Sequence, residues 1–259
     1  MIRTNFHTHV KRCRHAGGSE EDYVKEALSK GLSQLGFSDH APFEEIDFGM
    51  RMPFCELRDY LSTINALTKK YQADIILWKG LEIEYLPEYC DYYEELLTNW
   101  GVDYLLMGEH YYKTAQGETI NIYNTPSPTL YLDYANTVAA GMRSGYFKAV
   151  AHPDIYMINP FAWDSTCQKA ADIIIDAATA TNTILEYNAN GFRREQKQFP
   201  DGVRYQYPHN TFWQMAAQAP IQTIVGSDCH DPSKLWDEAV EYSYQQLHDL
   251  GLTPVIELL

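Results

Sequence analysis

Seven of the nine histidines in this 259-residue chain stand at the end of a short apolar, strand-like run or just past it. They fall in Asn5-Phe6-His7-Thr8-His9 followed by His15, in Ser38-Asp39-His40, Gly108-Glu109-His110 and His152-Pro153-Asp154, and in Gly226-Ser227-Asp228-Cys229-His230. Gly80-Leu81-Glu82 puts a carboxylate in the same setting, while His209 and His248 fall outside the pattern. Buried without partners, such groups would each cost about 1 to 3 kcal/mol. A fold that gathers the strand ends at one point, where the polar groups share a cation, removes that cost.

The candidate strands are 2–7, 32–38, 75–82, 104–108, 147–152, 183–188 and 223–227. Between most of them lie stretches of helical periodicity, at 19–30, 55–71, 89–100, 130–144 and 167–181. Ser19 is a natural N-cap, with Asp22 at the capping-box position and Gly31 as a C-terminal stop. Alternation of this kind implies parallel strands with crossover helices, either as an open sheet or as a closed barrel. An open sheet collects its site at one switch-point crevice, whereas here potential ligands follow almost every strand. The expectation is therefore an α/β fold, a distorted (β/α)7 barrel with its metal site at the C-terminal ends of the strands. No linker or repeat divides the chain, so residues 1–259 read as a single domain, with 41–54, 111–129 and 191–209 as loops roofing the site.

A formal charge of −15 argues against an electrostatic grip on a nucleic acid polymer or an anionic membrane, since either requires clustered Lys and Arg. The partner expected is a small molecule. Five scattered cysteines, an odd number with no C-x-x-C pair, disfavour a disulfide framework and a thiolate zinc site, and suit a reducing cytoplasm. The N-terminus has no signal pattern and no window is apolar enough for a membrane span, so a soluble cytoplasmic protein is expected.

His7 and His9 are one residue apart, so on an extended strand both imidazoles face one side and can clasp a cation. In isolation such a pair is more often two surface histidines; its place at the end of the first strand, with the other clusters, reverses that preference. Asp228 and His230 repeat the spacing at the last strand, and Cys229 between them should point away. Glu82 sits where a strand leaves the core, a costly place for an unpaired carboxylate, although Glu84 is equally well placed on spacing alone. His110 and His152, taken singly, read equally well as satisfied core histidines. Mixed imidazole and carboxylate ligation suits Zn, Fe or Mn without choosing among them.

These residues resemble the polymerase and histidinol phosphatase (PHP) family, and within it the PHP-type histidinol-phosphatases. The subgroup's look is carried by Gly36-Phe37-Ser38-Asp39-His40-Ala41-Pro42, Arg51-Met52, Gly80-Leu81-Glu82-Ile83-Glu84-Tyr85, and Leu185-Glu186-Tyr187-Asn188 with Gly191. The resemblance implies three divalent metal ions: one held by His7, His9, Glu82 and Asp228, a second by Glu82, His110 and His152, and a third by His15, His40 and His230. It further implies hydrolysis of L-histidinol phosphate in histidine biosynthesis, with a water shared between ions ionising near neutral pH and displacing the ester in line. Glu82 then bridges two ions and Asp228 manages protons. One departure is Met107-Gly108-Glu109-His110, where the family more usually has Gly-Ser-Val-His.

A phosphate dianion attracts guanidinium groups. Arg193 and Arg194 follow the sixth strand in a suitable loop, one more expected than both because adjacent side chains diverge; Arg51 and Arg204 are weaker options. Glu44, Glu45 or Asp47 could meet the substrate's amino group by charge. Two other readings are a PHP phosphoesterase for nucleotides or other small phosphate esters, and a noncatalytic metal-binding module. Oligomeric state is left open.

Overall fold

The computed structural model describes residues 2–259. Along the chain come β1 (Arg3–Asn5), α1 (Glu20–Ser29), β2 (Leu32–Phe37), α2 (Leu57–Tyr71), β3 (Ile76–Ile83), α3 (Cys90–Thr98) and β4 (Tyr104–Met107). A hairpin, β5 (Tyr111–Lys113) with β6 (Thr119–Asn121), precedes α4 (Tyr131–Ser144), β7 (Phe147–Val150), α5 (Ser165–Thr181) and β8 (Ile184–Asn188). A second hairpin, β9 (Lys197–Phe199) with β10 (Gly202–Arg204), is followed by α6 (Asn210–Ala216), β11 (Thr223–Gly226) and α7 (Glu238–Asp249).

Seven strands form one parallel sheet in the order β1-β2-β3-β4-β7-β8-β11, the distorted barrel expected from the alternation. The ring closes just beyond the ends of β1 and β11. There the Asp228 N–H donates to the His7 carbonyl (2.9 Å) and the His9 N–H to the Cys229 carbonyl (3.1 Å), with Thr8 and Cys229 as a parallel bridge.

Alternation along the strands sorts side chains between the two faces. Leu105, Met107, Leu185, Tyr187 and Val225 join the main apolar cluster that includes the helices. Tyr104, Leu106, Ile184 and Ile224 form a smaller cluster with Phe6 and Ala149. The Tyr104 ring takes the space left by two missing side chains, since a Cβ at Gly36 would lie 2.3 Å from its hydroxyl and one at Gly80 2.2 Å from its ring. Its hydroxyl donates to the carbonyls of Phe6 (2.7 Å) and Phe37 (3.1 Å). Two residues beyond Gly80, Ile184 and Ile224, in the same alternation, stand Glu82, Glu186 and Gly226.

The capping box of α1 forms as its sequence predicts, the Ser19 side chain accepting from the Asp22 N–H and the Asp22 carboxylate from the Ser19 N–H. The strands stop one or two residues short of several expected ends, because the chain leaves the ladder before the polar clusters begin. Two of the expected loops carry the hairpins β5–β6 and β9–β10. Helices α6 and α7 were not among those expected. The first is only seven residues long, and the second buries only Val240, Ser243 and Leu247, so its apolar stripe is faint.

A Cβ on Gly226 would lie 1.6 Å from Glu186 Oε1. Gly226→Ala should push that carboxylate from its place and cost about 1 to 3 kcal/mol of unfolding free energy, as overpacked cores do. Chemical denaturation of the metal-free protein checks this, and an unchanged midpoint would show that Glu186 relocates freely.

Candidate metal centre

The strand ends bring all nine candidate ligands into one graded cluster. His7, His9, Glu82 and His152 are almost fully buried, Asp228 and His110 slightly less so, His40 and His230 half-buried, and His15 exposed. In the deepest part, His7 Nε2 lies 3.1 Å from His9 Nε2, 3.4 Å from Glu82 Oε2 and 3.7 Å from Asp228 Oδ1. His9 Nε2 lies 3.4 Å from Glu82 Oε2 and 3.2 Å from Asp228 Oδ1. Zinc–nitrogen bonds of about 2.0–2.1 Å in a tetrahedron place ligand atoms roughly 3.4 Å apart, so His7, His9 and Glu82 fit a single cation, with Asp228 Oδ1 at similar range from both imidazoles. Glu82 Oε2 is buried with no hydrogen-bond partner among the described residues, an arrangement a cation resolves.

The other oxygen of Glu82 looks elsewhere. Its Oε1 is 3.0 Å from His152 Nε2 and 3.6 Å from His110 Nε2. At the rim, His230 Nε2 and His15 Nε2 are 2.9 Å apart, and His40 can group with either this pair or with Glu82 and His110. His40 Nδ1 stands 3.0 Å from Glu82 Oε2. The donor set, imidazole and carboxylate throughout, suits divalent ions of the Zn, Fe and Mn type.

Charge is distributed unevenly. Burial opposes protonation of His7, yet Glu186, Glu82 and Asp228 hold its pKa well above the ordinary value. His9 is likewise raised against burial, to about 9, by Asp228, Asp39 and Glu82. Burial and the neighbouring His9 push His40 well down and His230 to about 3. Glu82 and Asp228 stay ionised despite burial because imidazolium charge surrounds them. Two ligand candidates occupy left-handed backbone, His152 at φ 33° and Asp228 at φ 47°, the kind of conformation found at functional positions.

Several carboxylates and amides around the cluster were not among the expected site residues. Glu186 lies 2.7 Å from His7 Nδ1, and Asp39 lies 3.4 Å from His9 Nδ1. Asn188 and Asn190 both donate to Asp228 Oδ2, at 3.2 and 3.1 Å. Glu84, inseparable from Glu82 by spacing, is taken up by Arg51 in a two-pronged pair (2.9 and 3.0 Å) and stands 3.3 Å from His110 Nδ1. Glu109, the departure from the usual motif, accepts from the Tyr85 N–H (2.8 Å), and burial raises its pKa well above the carboxylate range.

The adjacent arginines diverge. Arg193 is consumed by structure, donating to both oxygens of Asp237 (2.9 and 3.0 Å), to Ser227 and to the Lys234 carbonyl. Arg194 instead lines a mouth of about 330 Å³ together with His15, His40, His110, Tyr123, Phe48 and Met50. Its guanidinium lies over the Tyr207 ring, and its buried Nε has no hydrogen-bond partner among the described residues. Arg51 also lines the mouth but is held by Glu84, and Arg204 pairs with Asp201 and lies over Phe199. Glu44, Glu45 and Asp47 border a different surface groove. His209 stacks on Trp163 beside a separate cavity, and His248 is exposed on α7, so neither joins the cluster. Cys229 is buried in the apolar core, as its alternation with Asp228 and His230 predicts.

The PHP domain model matches residues 5–190, well over half of the chain. The chain belongs to the PHP domain family. It is 27% identical over 95% of its length to a Deinococcus radiodurans protein named "Probable histidinol-phosphatase", covering 92% of that protein. It is 22% identical to the histidinol-phosphatase of Bacillus subtilis, over 95% of this chain and 98% of that one. In fold it is similar to the histidinol phosphate phosphatase of Lactococcus lactis, crystallised with zinc, L-histidinol and phosphate, at a TM-score of 0.72 and 15% identity, covering 98% of this chain and 95% of that one. The PHP segment ends before β11, so Asp228 and His230 lie outside the matched span and are brought to the cluster by ring closure. No helix among the described residues is long and apolar enough to cross a membrane.

Because carboxylates raise His9 from 6.5 to about 9, the metal-free cluster carries protons at neutral pH that a cation must displace. Zinc uptake at pH 7 should release protons, and apparent affinity should climb as pH rises toward 9. The sign for folding is opposite: in the metal-free protein the contribution of His9 is complete below pH 6.5 and lost as pH rises through about 9. Calorimetric titration against a chelator in buffers of different ionisation enthalpy measures proton release and affinity, and denaturation of the metal-free protein against pH measures the folding contribution; pH-independent affinity would contradict the charge assignment.

Proposed function

We propose that this chain is a metal-dependent phosphomonoesterase that hydrolyses L-histidinol phosphate to L-histidinol and phosphate, a step of histidine biosynthesis. The whole chain serves as one PHP-type metallohydrolase domain. The observation that carries this reading is the convergence of His7, His9, Glu82 and Asp228 at cation-ligand spacing beneath a mouth holding a guanidinium without a carboxylate partner. The relatives named histidinol-phosphatase, aligned over nearly the whole chain, support the choice of substrate.

The proposed ion sites are three: His7, His9, Glu82 and Asp228 for the first, Glu82, His110 and His152 for the second, and His15, His40 and His230 for the third. When bound, divalent ions supply Lewis acidity to the phosphoryl group and lower the pKa of water. Glu82 directs one oxygen to each of the two deeper sets and so fixes their separation. Asp228 is ionised, its Oδ2 held by Asn188 and Asn190 and its Oδ1 turned toward the first ion site, so the carboxylate would serve there as a ligand and manage the protons of the attacking water beside it. Arg194 binds the phosphate dianion at the mouth. Tyr123, whose ring stacks on that of His110, borders the same space.

Phosphate release from zinc- or manganese-loaded protein, with histidinol phosphate beside a panel of nucleotides and sugar phosphates, tests the substrate; a flat or nucleotide-led profile leaves a phosphomonoesterase and removes histidinol phosphate. His9→Ala and Asp228→Asn should abolish turnover and lower metal content, and near-normal rates in either would remove the assignment. Arg194→Ala should raise KM about tenfold or more, the loss of a hydrogen bond to a charged group, whereas Arg193→Ala should lower the melting temperature with little change in KM. The reverse pattern would exchange their roles.

A further inference from the structure

Glu186 has no ligand role in the proposed centre, yet it touches the centre's framework at His7, His152 and Asn188. It is buried on β8 at 2% exposure, and it reaches across β11 only because Gly226 has no side chain there. Its Oε1 meets His7 Nδ1 at 2.7 Å. Its Oε2 accepts from the main-chain N–H of His152 (3.1 Å) and from Asn188 Nδ2 (2.8 Å). Asn188 in turn donates to Asp228 Oδ2 at 3.2 Å, so one carboxylate is bonded directly or through one amide to three segments of the cluster.

We propose that Glu186 is a positioning residue that fixes His7 in the Nδ1–H tautomer, presenting Nε2 for ligation, and ties His152 and Asp228 to the same frame. An ionised carboxylate can only accept, so the 2.7 Å contact places a proton on His7 Nδ1. On binding a cation the ring gives up one proton, and the one bonded to Glu186 is the one kept. Nε2 is then the bare nitrogen, and it is Nε2 that faces His9 Nε2 (3.1 Å) and Glu82 Oε2 (3.4 Å). Without Glu186 the ring is free to carry its proton on Nε2, which turns an N–H toward the place of the cation. The same carboxylate steadies His152 where its backbone is left-handed, at φ 33°. Partners of this kind orient imidazole ligands and typically account for 10- to 100-fold in metal affinity.

The inference rests on the metal-centre reading, and zinc uptake by the unaltered protein separates the two. The primary experiment is 15N NMR of histidine-labelled, zinc-loaded full-length protein, paired with zinc affinity by chelator competition for wild type and Glu186→Gln. The expected result is a slowly exchanging Nδ1–H on His7 with zinc at Nε2, and a 10- to 100-fold weaker affinity in the variant. The glutamine matches the shape, but its amide must turn a donor either toward His7 Nδ1–H, losing that bond, or toward the His152 N–H and Asn188 Nδ2, losing both. The metal-free melting temperature should fall modestly, by what the lost buried bonds account for, and the affinity loss should exceed that fall. Wild-type zinc affinity in Glu186→Gln, or an affinity loss no larger than the fall in metal-free stability accounts for, overturns the positioning role. Zinc bound through His7 Nδ1 also overturns it, and this measurement on wild type decides the matter if the variant does not fold. A wild-type protein that takes up no zinc overturns the metal-centre reading and this inference together.

Discussion

The structure is organised around one buried carboxylate. Glu82 lies 1% exposed at the end of β3, with imidazoles of His7, His9, His40, His110 and His152 within 3.0 to 3.6 Å of its two oxygens. An ion in such a place carries a desolvation penalty of several kcal/mol, offset only by close opposite charge. The imidazoles that supply it follow β1, β2, β4 and β7, which is why histidines recur down much of the chain. The backbone makes room as well: a Cβ at Gly108 would lie 2.2 Å from Glu82 Oε1.

What could be read in the sequence was whatever depended on short-range periodicity. One-residue spacings at His7/His9 and Asp228/His230 put pairs on one face, and the repetition of clusters after strands implied closure into a barrel. What could not be read depended on which strands become neighbours in the ring. Glu82 and Glu84 have the same spacing relation to β3, and only Arg51, arriving from the loop after His40, removes Glu84 from the centre. Glu186 sits 179 positions from the histidine it contacts, and its clearance comes from a glycine on a third strand. The parting of Arg193 and Arg194 was legible as a divergence, while its direction was set by Asp237 at the start of α7, a helix with too faint a stripe to be expected.

The site is graded from dry to wet. His7, His9 and His152 are sealed beneath the strand ends, whereas His15 and His230 open to the rim. The three long insertions supply the walls above: Phe48 and Met50 from the first, Tyr111 and Tyr123 from the second, and Arg194 from the third. Phe48 stacks on Tyr111 at 4.5 Å, which braces one wall against another. Strand ends thus hold the charge-bearing groups, and the loop segments shape what approaches them.

The barrel's seam consists of main-chain bonds from His7 and His9 to Asp228 and Cys229. Three of those four residues also turn their side chains toward the same cation-sized space. On the proposed reading, structure and cofactor would be joined as in a buckle: a cation held by His7, His9 and Asp228 would cross-link the first strand to the last across more than 200 positions of chain. Opening the ring and emptying its deepest site are, on this geometry, two descriptions of one event.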